Sequence, residues 1–194
     1  MIETLKSWDE DLFLWLNSFH SESLDAIVFQ ATQTITWVPL YLFLAYLMVR
    51  QFGLQSIWLL LGLALTVLIA DQGTSSFMKP FFGRLRPCQD DRWMDLIHNY
   101  GRCGGMYGFA SSHAANSFGV ATFVFLAIGQ FYVQLKWLFL WALLFSYTRI
   151  YLGVHYPADV FVGALVGILA GFFAFWLQQL AQAAFYKYRS QNKN

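Results

Sequence analysis

Apolar residues along this chain form five long segments with polar stretches between them. A helix needs about 20 consecutive, mostly apolar residues to cross a membrane, and each segment is close to that length. Three segments carry no charged residue, and Asp71 and Arg149 are the single charges in the other two. The segments cover residues 27–49, 54–78, 114–133, 137–154 and 160–184. This pattern predicts an all-α integral membrane bundle of five transmembrane helices, with the two termini on opposite sides.

A shorter amphipathic segment, residues 7–20, precedes the first of these helices. Ser7 followed three residues later by Glu10 is typical of a capping box at the start of a helix. One face of that helix would be apolar, formed by Trp8, Leu12, Trp15 and Leu16. The segment is too short to cross a membrane, so we expect it to lie along the membrane interface. Packing on the bundle as an ordinary amphipathic helix is the alternative, and the two arrangements are compatible.

The composition favours a single membrane domain over residues 1–194. Hydrophobic residues make up 58% of the chain and charged residues 12%, whereas soluble domains carry about 25% charged residues. A soluble domain of this size could not bury so much apolar surface, so lipid is the expected solvent. The net charge of +1 argues against a nucleic-acid partner, because such partners favour a basic excess. The sequence leaves the oligomeric state open.

The connections between the helices indicate the orientation of the chain. One side of the membrane has no acidic residue, and its basic residues are Arg50, Lys136, Lys187, Arg189 and Lys193. The other side holds the long polar loop of residues 79–112. Several basic residues there have a chemical role proposed below, and those that remain are Lys6, Arg92 and Arg102. Because basic residues prefer the cytoplasmic side, residues 185–194 are predicted to be a cytoplasmic tail. The loop then faces the periplasm from a bacterial cytoplasmic membrane.

The fifth segment places Gly163, Gly167 and Gly171 four residues apart, which lines one helix face with small residues. Such a face allows a neighbouring helix to approach closely. We expect it to be used for packing within the bundle, with dimerisation as the alternative.

Polar residues form three clusters, and each cluster lies at the end of a predicted helix. Charges near a membrane are costly, so their placement is informative. The alternating helix directions put all three clusters on the same face, and we expect them to converge on one site. The clusters contain Lys79 and Arg86 after the second helix, Ser111, Ser112 and His113 at the start of the third, and Arg149, His155 and Asp159 between the fourth and the fifth.

The members of this site suit a bound phosphate. Lys79, Arg86 and Arg149 are cations, and arginine offers a planar fork that matches phosphate oxygens. Two helices begin at the site, and their free backbone N–H groups favour an anion. Any one of these residues could have a purely structural role, such as an N-cap or an interfacial arginine. Their occurrence together on one face favours a phosphate site.

Two histidines are available for the chemistry. His155 and Asp159 are four residues apart, so a carboxylate can fix one ring nitrogen and leave the other free to attack. His113 comes from a different helix and could protonate the departing oxygen. Together with the three cations, these residues form a phosphoryl-transfer site that requires no metal and no other cofactor.

The same residues resemble the three-part signature of the type-2 phosphatidic acid phosphatase superfamily of membrane lipid phosphatases. Residues 71–160 match it closely, and the surrounding helices match in general layout. The matching positions are Lys79, Arg86 and Pro87 in the first motif, Ser111 and His113 in the second, and Arg149, His155 and Asp159 in the third. The chain departs from the family's Pro, Gly and Ser at Ala110, Ser112 and Thr148.

The resemblance implies a role for each matching residue. His155 would be the nucleophile and form a phosphohistidine, Asp159 would orient it, and His113 would be the general acid. The residues implied to hold the phosphate are Lys79, Arg86, Ser111 and Arg149. Ser112 stands where the family has glycine, and because serine still offers its backbone N–H to the phosphate, we expect retained activity.

The implied function is hydrolysis of a lipid phosphate or pyrophosphate monoester without a metal. Candidate substrates are an undecaprenyl-type isoprenoid pyrophosphate, phosphatidylglycerol phosphate, phosphatidic acid and a lipid A phosphate. Two other classes stay open. His155, His113 and Asp159 could ligate a zinc ion, although the neighbouring cations would repel it. The chain could also be a phospholipid transporter or flippase, although transporters often carry internal repeats and this sequence shows none.

Several polar residues have no place in the signature. Cys88 and Cys103 are the only cysteines, and in an oxidising compartment such a pair tends to form a disulfide. Asp71 lies deep in the second segment and is expected to make a structural ion pair or hydrogen bond. Arg84 is expected to meet the lipid head group or to face water. His20 and His98 are also unassigned, and we expect both to be solvated loop residues.

Overall fold

The computed structural model describes residues 2–192, and this part of the chain is helical, with one isolated antiparallel bridge and no β-strand. Short 3-10 turns and one π-helical segment join the α-helices. The α-helices are α1 (Ile2–Asn17), α2 (Glu22–Ala31), α3 (Val38–Phe52), α4 (Ser56–Asp71), α5 (Lys79–Phe82), α6 (Ser112–Ile128), α7 (Trp137–Tyr151) and α8 (Pro157–Gln191). The predicted all-α fold is confirmed. Lys193, used above for the orientation, lies outside the described residues.

Two helical stretches are long and apolar enough to cross a membrane, Thr34–Phe82 and Pro157–Gln191, and α6 is a shorter apolar helix. Large apolar side chains such as Leu42 and Leu169 point outward from the bundle, while polar Thr66 is completely buried. An apolar surface around a partly polar interior is typical of a protein solvated by lipid.

The sequence pattern predicted one continuous helix for the first apolar segment, and this prediction was wrong. α2 ends at Ala31, and α3 begins at Val38 after a 3-10 turn at Thr34–Trp37. The break follows from local chemistry. Thr32 is buried and turned toward α7, where its hydroxyl meets polar side chains, and Pro39 suits only the first turn of the helix that follows.

α1 begins five residues before the capping box that Ser7 and Glu10 were predicted to form. A Lys6–Glu10 pair at 3.9 Å spans that point and favours continuous helix through Ser7. One face of α1 packs on the bundle through Phe13, which is completely buried. The opposite face exposes Trp8 and three further apolar side chains, Leu5, Leu12 and Trp15. α1 therefore packs on the bundle, as the alternative predicted, and its outward apolar face is the one that the prediction of an interfacial helix requires.

The second apolar segment continues further than predicted. α4 passes through a π-helical segment, Gln72–Met78, into α5. Gly83 ends this helix with a φ of 57°, a left-handed conformation that glycine adopts without strain. The polar loop therefore begins at Gly83, and Lys79 belongs to the last helical turns before it. This arrangement aims Lys79 from a rigid helix toward the start of α6.

α6 and α8 form the centre of the bundle. The three glycines of α8 face α6, and a methyl group added to Gly167 would collide with the carbonyl oxygen of Ala115. The glycine face is thus used within the bundle, as expected. α8 itself runs for 35 residues to Gln191, so the predicted tail of residues 185–194 is a helical extension through Gln191. The helix passes into this extension through residues 178–184, which are rich in Ala and Gln, and both are good helix formers.

Candidate active site

His155 and Asp159 lie side by side at the start of α8. Pro157 occupies the first turn of this helix, which places His155 just before it. His155 Nδ1 is 3.3 Å from Asp159 Oδ2, and the same oxygen accepts a hydrogen bond from the backbone N–H of Tyr156 at 3.1 Å. Both side chains are almost completely buried. The carboxylate is therefore fixed by the helix start and holds one nitrogen of the imidazole.

Arg86 faces the other nitrogen of the imidazole. Its Nη1 atom lies 3.2 Å from His155 Nε2 and 3.4 Å from the carbonyl oxygen of Val154. Burial, together with the charges of Arg86, Arg149 and Lys79, holds the pKa of His155 well below its ordinary 6.5. The imidazole is therefore neutral and can act as a nucleophile.

Arg149 reaches the site from the last turn of α7. Its Nη1 atom donates to the hydroxyl of Thr32, which lies in the break between α2 and α3. Thr148 Oγ1 is 3.2 Å from the same hydroxyl. The break that divides the first apolar segment thus supports a cation of the site.

Lys79 is held through the side chain of Ser112. Lys79 Nζ donates to Ser112 Oγ at 2.7 Å, and this oxygen is also 2.9 Å from the hydroxyls of Thr74 and Ser75. The sequence suggested a contribution from the backbone N–H of Ser112. In the structure its hydroxyl has a further task, because it joins α6 to the π-helical segment and orients the lysine.

Three of the predicted phosphate-binding residues have buried polar atoms with no hydrogen-bond partner among the described residues. These atoms are Nε of Arg86, Nε of Arg149 and Oγ of Ser111. Ser111 occupies the N-cap position of α6, yet its hydroxyl makes no capping bond. Buried polar groups normally find partners, so donors left over in this place suit an oxyanion.

His113 lies at the start of α6, between two cavities. One cavity, of about 480 Å³, runs into the bundle and is lined by Leu63, Val67 and further residues of α3, α4, α6 and α7. The other, of about 360 Å³, is lined by Arg149 and Arg102. Thr34 and His113 border both. The apolar cavity and the charged cavity therefore adjoin each other at His113, the predicted general acid.

Arg84 and Asp9 belong to the site although the sequence analysis gave them no role in it. Arg84 Nη1 donates to Asp159 Oδ1 at 3.0 Å, and Nη2 donates to Asp9 Oδ2 at 2.6 Å. Arg84 was expected to face water or to meet the lipid head group, but its guanidinium is bound by two carboxylates. The sequence could have indicated Arg84, because it lies only two residues before Arg86. No sequence pattern indicated Asp9, which is 75 residues from Arg84.

The loop of residues 83–111 covers the His155–Asp159 pair. A methyl group on Gly108 would lie 3.0 Å from Asp159 Oδ2 and 3.4 Å from His155 Nδ1, so the backbone approaches as closely as glycine permits. Cys88 and Cys103 are joined by a disulfide within this loop, with their Cα atoms 5.8 Å apart. The disulfide therefore closes residues 88–103 into a covalent ring within this loop.

The expectation for His98 was wrong, because its ring is not simply solvated. His98 Nε2 is 2.8 Å from Asp25 Oδ1, and the ring stacks on His20 with centroids 4.0 Å apart. Tyr151 donates to the same carboxylate oxygen. This cluster connects the loop to α2 and α7. Asp71, expected to be bonded inside the bundle, accepts a long hydrogen bond of 3.5 Å from Ser75.

No group of three or more His, Cys, Asp and Glu residues within residues 2–192 is arranged to hold a metal ion. His155 and Asp159 are instead surrounded by guanidinium groups.

The three motifs lie within a match to a known protein family. The model of the PAP2 superfamily matches residues 55–183, the part that contains all three motifs. The chain belongs to the PAP2 superfamily. The predicted family resemblance is confirmed.

Relatives and solved structures agree with this assignment. The chain is 38% identical over 180 residues to the lipid A 4'-phosphatase of Bacteroides thetaiotaomicron, covering 91% of this chain and 80% of the relative. It is 34% identical over 177 residues to the lipid A 4'-phosphatase of Porphyromonas gingivalis, covering 90% and 74%. The crystal structure of LpxE from Aquifex aeolicus superimposes with a TM-score of 0.65 at 29% identity, covering 84% of this chain and 92% of that one. This PAP2 protein is therefore a membrane phosphatase, a phosphoric monoester hydrolase that acts on lipids, as predicted.

Proposed function

We propose that the protein removes a phosphate from a lipid through a phosphohistidine at His155, without a metal. The observation that carries this proposal is the geometry around the imidazole. Nδ1 faces the Asp159 carboxylate while Nε2 faces Arg86. A guanidinium group can only donate, so Nε2 carries the lone pair and Nδ1 the proton. That tautomer presents its nucleophilic nitrogen to the place where the cations gather.

The reaction proceeds in two steps. In the first, the lone pair of His155 Nε2 attacks phosphorus, the bond to the lipid oxygen breaks, and His113 gives its proton to that oxygen. Asp159 stabilises the positive charge that the imidazole acquires. In the second, His113 takes a proton from water, the water oxygen attacks phosphorus, the bond between phosphorus and His155 Nε2 breaks with its electron pair returning to the imidazole, and inorganic phosphate leaves. The phosphate is held by Lys79, Arg86, Ser111, Arg149 and the backbone at Ser112.

The substrate we favour among the predicted candidates is a lipid A phosphate. The relatives that share most of their length with this chain carry that activity in their names. The charged cavity beside Arg149 would receive the polar head, and the apolar cavity beside His113 would receive hydrocarbon. A lipid A phosphate has both parts, and so do the other candidates, which keeps them within the test.

We also propose how the chain sits in the membrane. Residues 1–194 form one domain that crosses a bacterial cytoplasmic membrane five times, through α3, α4 with its extension, α6, α7 and α8. α1 lies along the outer interface with its exposed tryptophans toward lipid. The loop of residues 83–111 and the site then face the periplasm, and the end of α8 is cytoplasmic. Modification of introduced cysteines near Arg50 and Met94 by an impermeant reagent would test this orientation.

A panel of purified lipid phosphates tests the function. The detergent-solubilised protein is given lipid A bisphosphate, phosphatidic acid, phosphatidylglycerol phosphate and an isoprenoid pyrophosphate, and released phosphate is measured. We expect the highest kcat/KM with lipid A, and the product identifies which phosphate is removed. The His155→Ala protein, prepared in the same way, is the control for contaminating phosphatases. Preference for another lipid would overturn the substrate assignment, and no release from any of them would overturn the function.

A further inference from the structure

Arg84 bridges two carboxylates that come from opposite ends of the chain. One guanidinium nitrogen donates to Asp159 at 3.0 Å and the other to Asp9 at 2.6 Å. The guanidinium plane also lies over the ring of Tyr156, 3.9 Å from its centroid. Two charge-assisted hydrogen bonds and a stacking contact fix this side chain in one orientation.

Asp159 depends on this bridge to present its carboxylate correctly. Its Oδ2 atom accepts from Tyr156 N and faces His155 Nδ1, while its Oδ1 atom accepts from Arg84. The Asp159 side chain is 0% exposed, so water cannot replace Arg84 freely. Without Arg84, a buried carboxylate oxygen would lose its charged donor, and the carboxylate would be free to rotate away from the imidazole.

Asp9 connects this bridge to α1. Its Oδ2 atom accepts from Arg84, and its Oδ1 atom accepts from the backbone N–H of Ala158 at 2.7 Å. Asp9 therefore also caps the first turn of α8, the helix that carries Asp159. The Asp9 carboxylate thus connects α1 to the region of the catalytic pair by two hydrogen bonds, one from Arg84 and one from the backbone N–H of Ala158.

From these contacts we infer that Asp9 and Arg84 are positioning residues of the phosphatase, which act on the nucleophile through Asp159. This inference rests on the proposed roles of His155 and Asp159. Arg84 has both of its terminal nitrogens engaged by carboxylates, which leaves it poorly placed to bind phosphate as Arg86 and Arg149 do. Loss of the bridge should therefore lower kcat and leave KM nearly unchanged.

The neighbouring residue Glu10 provides a matched control. It makes the corresponding ion pair from α1 to the same loop, with Glu10 Oε1 3.0 Å from Arg92 Nη2. Arg92 is 52% exposed and also pairs with Asp90, and neither residue contacts Asp159. Glu10→Gln and Asp9→Asn remove the same charge from adjacent positions of one helix, but only Asp9 leads to the catalytic carboxylate.

The test compares Asp9→Asn, Arg84→Gln, their combination and Glu10→Gln, using whichever lipid phosphate of the panel is hydrolysed fastest. A misplacement of catalytic groups costs on the order of tenfold to a hundredfold in rate, so we expect kcat of both single variants to fall by at least about tenfold. The double variant should fall little further, because both changes break one unit. Glu10→Gln should keep the wild-type kcat. Asp9→Asn matching Glu10→Gln would overturn the inference, and so would a loss confined to KM.

Two further variants keep the result interpretable. Asn at position 9 can still accept from Ala158, so the start of α8 is preserved, and size-exclusion chromatography in detergent verifies folding. Should Asp9→Asn fail to fold, Arg84→Gln and Arg84→Lys decide, since lysine retains the charge but cannot bridge both acids and should give an intermediate kcat. Equal kcat in these two variants and the wild type would refute the bridge. Substantial activity of His155→Ala would instead refute the proposed mechanism itself.

Discussion

Arg86 and Asp159 hold the imidazole of His155 from its two nitrogens, with Arg86 Nη1 3.2 Å from Nε2 and Asp159 Oδ2 3.3 Å from Nδ1. Under the proposed mechanism, Arg86 occupies the direction from which His155 Nε2 would attack phosphorus. The guanidinium would then turn toward the oxygens of an arriving phosphate, which would free Nε2 at the moment the substrate binds. Binding of the anion and exposure of the nucleophile would then be a single event.

Removal of the nucleophile should separate chemistry from folding. We expect His155→Ala to lose essentially all turnover while the protein still inserts and elutes as a folded species. Asp159→Asn should retain more activity, because the imidazole remains and only its orienting charge is lost. Initial rates of phosphate release, compared at equal amounts of folded protein, provide the measurement. Substantial residual turnover in His155→Ala would remove this residue from the nucleophile's role.

The neutral state of His155 should make the protein less stable in acid. The folded protein holds the pKa of His155 below 6.5, whereas the unfolded chain binds a proton near pH 6.5. As the pH falls below that value, the unfolded state gains a proton that the folded state does not, so stability is lost. The loss is at most about 1.4 kcal/mol per pH unit for one group.

A variant isolates this contribution from other titrating groups. Melting temperatures are measured in detergent without phosphate at about pH 7.5 and about pH 5.5, for the wild type and for His155→Gln. We expect the melting temperature of the wild type to fall by more between the two pH values than that of the variant. An equal loss in both proteins would show that His155 does not remain neutral in the fold.

The sequence could predict which residues lie near one another in the candidate site because they fall at helix ends with fixed spacing. The pair of His155 and Asp159 is only four residues apart, so local helix geometry almost determines their contact. The apolar segments likewise predicted that α4, α6, α7 and α8 exist and where each begins, since each helix is defined by its own residues, although the helices of the second and fifth segments run further than predicted. These features depend on local interactions, which a single sequence displays directly.

The supports of the site were not predictable in the same way. Thr32 and Arg149 are 117 residues apart, and Asp9 and Arg84 are 75 residues apart. Each pair forms only after α1 and α2 have packed on the bundle, and no local pattern marks the partner. The break at Thr32 was hidden for the same reason, because its polar side chain is satisfied by α7 rather than by its neighbours.

The disulfide between Cys88 and Cys103 should stabilise the loop above the site. The cysteines are 15 residues apart, and closing a loop of this length stabilises a protein by about 3 kcal/mol. We expect Cys88→Ser with Cys103→Ser to melt at a lower temperature and to lose activity, since Gly108 of this loop contacts the catalytic pair. Mass spectrometry without reductant checks the bond itself. Two free thiols in protein from the native membrane would contradict both the bond and the periplasmic orientation.

The contact between α6 and α8 should tolerate no side chain at Gly167. A methyl group there would collide with the backbone of Ala115, whereas one on Gly73, also helical, would meet nothing within 4 Å. We expect Gly167→Ala to destabilise the protein by overpacking, typically by about 1–3 kcal/mol in the free energy of unfolding, and so to lower the melting temperature. Gly73→Ala should be neutral or slightly stabilising, because alanine favours helix. Equal melting temperatures for the two variants would argue against the close packing of these helices.

Vanadate and EDTA together test the proposed mechanism rather than one residue. A metal-dependent phosphatase uses its ion to neutralise charge and to activate water. In the proposed mechanism Lys79, Arg86 and Arg149 supply positive charge and His155 supplies the nucleophile, so chelation should leave the rate unchanged. Vanadate accepts a histidine nitrogen and adopts the five-coordinate shape of phosphoryl transfer, so a site complementary to that shape should bind it more tightly than phosphate. We therefore expect inhibition by vanadate that is competitive with the lipid, and steady-state kinetics with varied lipid and inhibitor provide the measurement.

Arg86→Lys is the matched variant, because it keeps the charge but loses the planar fork. It should weaken the inhibition by vanadate, while its activity should remain insensitive to EDTA. Activity that disappears in EDTA and returns with added Zn²⁺ or Mg²⁺ would instead support the metal-dependent alternative.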